Sequence, residues 1–141
     1  FTVPKPPRLG TASVEELVAT LERPDSWWRE TAQRLLVQRK ELKAVPLLRQ
    51  LAREGRNDLG RIHALWTLRG LGQLDEESLL IAMNFDPPQP PRVREQAARL
   101  AEDFFVKGPS DRLMTAFTRL DLASNDERLS FQRVLSAGQL P

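Results

Sequence analysis

No cysteine occurs among the 141 residues. That excludes disulfides, thiolate metal sites, a cysteine nucleophile and covalently attached haem, which needs Cys-x-x-Cys-His. It leaves the compartment open, since cytosolic and exported domains alike can lack cysteine. Histidine occurs once, at position 63, so a His-Glu-x-x-His zinc motif is excluded as well. No Gly-rich phosphate loop or Ser/His/Asp cue is present either. No apolar run approaches the roughly 20 residues needed to cross a bilayer. The opening FTVPKPPRLG lacks the apolar core of a signal peptide and has no initiator Met, so a piece of a longer protein is expected. An excess of one charge is missing too: the net charge is +2 despite a pI of 9.5. Residues 1–56 carry 11 basic and 7 acidic side chains, and residues 57–141 carry 10 and 12. So mild a gradient argues against nucleic acid as a partner, which calls for a concentrated basic stripe.

What is present is helical pattern. Apolar residues at 40% and charged residues at 28% are an ordinary globular balance. Pro4, Pro6, Pro7 and Gly10 make residues 1–12 an extended linker. Residues 13–141 then form one helical domain. Ser13 and Glu16 predict a capping box, with Val14, Leu17, Val18 and Leu21 on one helical face. Pro24 ends that helix. Trp28, Ala32, Leu35 and Leu36 predict a second, ending near Lys40. A third runs from about Lys43 to Glu54 with Pro46 in its first turn. A fourth spans about Asn57 to Leu71, stopped by Gly72, and a fifth starts at the cap Asp75. After the DPPQPP loop, Pro91 opens a sixth whose stripe is Val93, Ala97, Leu100, Ala101 and Phe104. Ser110 caps a seventh, with Leu113, Phe117 and Leu120 inward. Ser124 and Glu127 cap an eighth, with Phe131, Val134 and Leu135 inward. Nothing alternates with a period of two for long, so the fold class is all-α.

The helices repeat. Arg-x-x-Ala recurs at Arg29/Ala32, Arg61/Ala64 and Arg94/Ala97, with Arg128 and Phe131 a degenerate fourth copy. The intervals are 32, 33 and 34 residues, and each copy opens the longer helix of a pair after a loop holding Asp or Asn. A loop Asp, then Val-Arg-x-x-Ala, then an apolar stripe resembles a HEAT repeat, most completely in DPPQPPRVREQAARLAEDF (86–104). The resemblance implies a HEAT-like α-solenoid of about four helix pairs in a right-handed superhelical stack, with loop Asp and helix Arg pairing between repeats. The segments at 9–52 and 61–72 (RIHALWTLRGLG) more narrowly resemble the helical region of large planctomycete and verrucomicrobial proteins. In those proteins a dehydrogenase-like β-propeller precedes HEAT-like repeats, and a c-type haem domain often follows. That likeness covers residues 4–105. It implies an exported bacterial setting and redox chemistry in neighbouring domains, with no cofactor assigned to this segment.

Five residues stand out as candidate contact or inter-repeat positions: Trp27, Arg29, Arg61, His63 and Arg94. On a helical wheel His63 shares a narrow flank with Thr67 and Gly70, while Ile62, Leu65, Trp66, Leu68 and Leu71 spread over the rest. So wide an apolar arc marks a buried helix, and the reading favours a hydrogen-bonded structural histidine packed on the adjacent repeat. A general base, a ligand to a neighbouring domain's metal or haem, and an exposed contact residue are its alternatives. Trp28 falls on the core stripe. For Trp27, core or cover within the chain is favoured over a partner surface. The acids Glu15, Glu16, Asp75, Glu76 and Glu77 sit in helix first turns, where the macrodipole explains them without catalysis. The expected function is therefore a non-catalytic scaffold contacting a neighbouring domain or another protein. The rivals are a nucleic-acid binder of the HEAT-like DNA glycosylase type and a haem-contacting part of a redox protein.

Overall fold

A computed structural model describes residues 8–84 and 88–120. Among these residues the architecture is all-helical, with seven α-helices: α1 Val14–Thr20, α2 Ser26–Gln38, α3 Val45–Glu54, α4 Asp58–Gly70, α5 Glu76–Ala82, α6 Pro91–Phe105 and α7 Asp111–Arg119. The expected eighth helix, its Ser124/Glu127 cap and the fourth copy at Arg128/Phe131 lie outside the described residues.

Local chemistry sets the helix starts. The Ser13 hydroxyl accepts from the Glu16 amide at 3.2 Å while the Glu16 carboxylate accepts from the Ser13 amide at 3.3 Å. Asp25, Asn57, Asp75 and Ser110 each accept an amide of the first turn of α2, α4, α5 and α7. These bonds satisfy donors that a helix start otherwise leaves orphaned. Pro46 and Pro91 sit in the first turns of α3 and α6, where a missing N–H costs nothing. At the other ends, Gly72 takes φ +69° and the Gln73 amide reaches back to the Leu68 carbonyl at 2.9 Å. Lys40 takes the same left-handed turn after α2, with φ 53°.

Packing follows a simple alternation. α1 lies on α2, α3 on α4 and α5 on α6, while α1, α3, α5 and α7 touch in sequence and α2, α4 and α6 do likewise. The odd helices form one layer and the even helices the other. Leu17, Leu36, Leu48, Leu65, Leu68 and Leu79 fill the space between, each 0% exposed. The Ala of each Arg-x-x-Ala copy (Ala32, Ala64, Ala97) is buried to the same degree, and a short side chain there lets neighbouring helices approach.

Two local expectations change. Leu9–Thr11, read as extended, forms one 3-10 turn with Leu9 buried. Arg39 secures it by donating to the carbonyls of Leu9 (3.4 Å), Gly10 (2.6 Å) and Ala12 (3.3 Å). At the end of α6 the residue in the core is Phe105, packed edge-on against Phe117 with centroids 5.0 Å apart. Phe104, assigned to the stripe, is half-buried. The buried face of α6 is broader than that stripe: Arg94, Ala98 and Phe105 make a second buried row beside it, and Phe117 of α7 covers its Phe105 end.

Candidate functional site

The repeated arginines are anchors of the fold. Arg29, buried at 6% exposure, donates through Nη1 to the carbonyls of Arg23 and Pro24, both at 2.7 Å. Arg61 does the same one repeat later, its Nε donating to the Gly55 carbonyl at 2.8 Å and its Nη1 to Gln89 Oε1 at 2.7 Å. Arg94 is buried at the matching place in α6. Arg29 and Arg61 thus fasten the loop ahead of their own helix through its backbone. The expected pairing with a loop Asp does not occur at these two arginines. Asp25 caps α2 and Asn57 caps α4, because a cap residue's oxygen is already committed to first-turn amides. Ion pairs between helices come from other arginines: Arg49–Asp75 at 3.0 Å, Arg69–Asp103 at 2.6 Å and Arg112–Glu77 at 3.6 Å.

His63 is half-buried on α4. Its Nδ1 donates to Gln33 Oε1 of α2 at 2.7 Å, and its own carbonyl accepts from the Thr67 hydroxyl at 2.6 Å. A Cβ added at Gly70 would stand 2.7 Å from Val37 Cγ2 of α2. The flank shared by His63 and Gly70 therefore packs on α2, the corresponding helix of the preceding repeat. Burial, and then the charge of Arg29, push the imidazole's pKa below its ordinary value, against an opposing pull from Glu30. The Nδ1 partner is an amide, which does not raise the ring's basicity as a carboxylate would.

The next seam carries a matching bond. Trp66 Nε1 of α4 donates to Gln96 Oε1 of α6 at 3.0 Å, and the Arg69 guanidinium lies over the Trp66 ring, 5.4 Å from its centroid, while paired with Asp103. Gln33 and Gln96 were not singled out in the sequence. Nothing in a lone glutamine announces its partner thirty residues on, and only the helix register brings them together. Trp66 was visible only as part of an apolar arc.

Between these two bonds the face of α2, α4 and α6 holds an open groove of about 630 Å³. It is lined by the apolar Leu59, Ile62 and Trp66, by the polar Gln33, His63 and Gln96, and by Arg92 and Glu95 of α6. Leu59 and Arg92 occupy the positions two residues before Arg61 and Arg94. In α2 that position belongs to Trp27, which is 58% exposed and meets Trp28 edge-on at 4.8 Å. Trp27 is thus outside the core, which leaves cover within the chain or a partner surface among the placements read from sequence. Trp28 packs half-buried against the core beneath Arg23. Of the five singled-out residues, only His63 lines the groove, and Trp27 shares its register.

This arrangement can make apolar contacts and hydrogen bonds. Among the described residues no three His, Asp or Glu side chains are placed to hold a metal ion, and no helix is long and apolar enough to cross a membrane. No protein-family model, curated protein or solved structure matches the chain.

Proposed function

We propose that this chain is a non-catalytic protein-contact module, a HEAT-like right-handed solenoid set within a larger, exported bacterial protein. Its α2–α4–α6 face makes the contact, with a neighbouring domain or with another protein. The supporting observation is the groove itself. Apolar side chains interleaved with polar ones, continued in register by an exposed tryptophan, suit a contact surface better than a solvated helix face. The alternation of two helix layers at an interval near 33 residues is what stacked repeats produce. The charge on this face argues for a protein partner over a polyanion. In the register of Ile62 and Trp66, α2 carries Glu30 and Arg34 and α6 carries Glu95 and Arg99; Arg92 lies one turn before Glu95, and Arg69 is already paired with Asp103. A polyanion would meet the carboxylates of Glu30 and Glu95 among these arginines rather than an unbroken basic stripe.

The test is site-specific photo-cross-linking in the full-length protein. A benzophenone amino acid at position 27 or 62 is expected to give a discrete adduct, while the same group at position 50 on α3 gives none. Equal labelling from both faces would remove the assignment.

A further inference from the structure

We draw no further inference here: the strongest candidate, the open groove between α2, α4 and α6 lined by Leu59, Ile62, His63 and Trp66, belongs to the contact face already described, and nothing in the structure shows what covers it.

Discussion

Lys40→Gly should make the protein more stable. Lys40 sits at φ 53° at the end of α2, its amide donating to the Val37 carbonyl at 3.0 Å and the next amide to the Leu36 carbonyl at 3.1 Å. Gly72 closes α4 with the same pair of bonds, to Arg69 and Leu68. The two residues are 32 positions apart, the interval that separates Arg29 from Arg61. A side chain in the left-handed region costs about 1–2 kcal/mol. Replacing it by glycine frees the unfolded chain by about 0.4–1 kcal/mol and removes a favourable positive charge at a helix end worth about 0.3 kcal/mol. The exposed Lys40 side chain has no packing to lose, so the balance is a gain of roughly 0.5 kcal/mol. In a chain of this size that raises the melting temperature by about 1–3 °C. Thermal and urea unfolding followed by circular dichroism would measure it. Gly72→Ala is the mirror control. A Cβ there meets nothing within 4 Å, so any loss of stability comes from the backbone alone. A Lys40→Gly midpoint at or below the parent's, with the urea slope unchanged, would refute the argument.

Other outcomes follow from the seams between helices. Gly70→Ala should destabilise by about 1–3 kcal/mol, because the new methyl meets Val37 at 2.7 Å. Val37→Ala should suppress most of that loss in the double mutant, and a double-mutant cycle with no coupling would contradict the contact. Arg29→Ala should cost about 2–3 kcal/mol by leaving the Arg23 and Pro24 carbonyls without their donor, whereas Arg34→Ala on the exposed face should be near neutral. Urea midpoints of the two would show the contrast. His63 has its pKa lowered by folding, so the folded state binds the proton less readily than the unfolded chain. Its contribution is therefore complete above the unfolded value near 6.5 and is lost as pH falls through the lower folded value. The urea midpoint should drop between pH 7.5 and pH 5, and His63→Gln should flatten that part of the curve. An unchanged slope in the variant would assign the pH dependence to other groups.

The helix boundaries were legible because they are local events. A serine followed by a glutamate at three residues, an Asn or Asp ahead of an apolar stripe, or a proline in a first turn acts on atoms within one turn of itself. The repeat was legible through Arg29, Arg61 and Arg94, although the reason for the arginine was not. Its partner is a carbonyl, which has no letter in the sequence. The contact residues were harder still. Gln33, Trp66 and Gln96 owe their roles to how three helices are set side by side, and that register is decided by Ala32, Ala64, Gly70 and the leucines beneath. Trp27 and Trp28 illustrate the limit: adjacent residues of one type, one over the core and one outside it, separated only by the angle between neighbours on a helix.

The carbonyl anchors used by Arg29 and Arg61 have a consequence for how such a chain can change over time. Every residue carries a carbonyl, so the loop that an anchor grips is free to exchange its side chains without loosening the grip. What must persist is one long cation per repeat and a small residue three places on. Successive repeats can then drift apart until little more than those two letters still relates them, while the helices keep their seats.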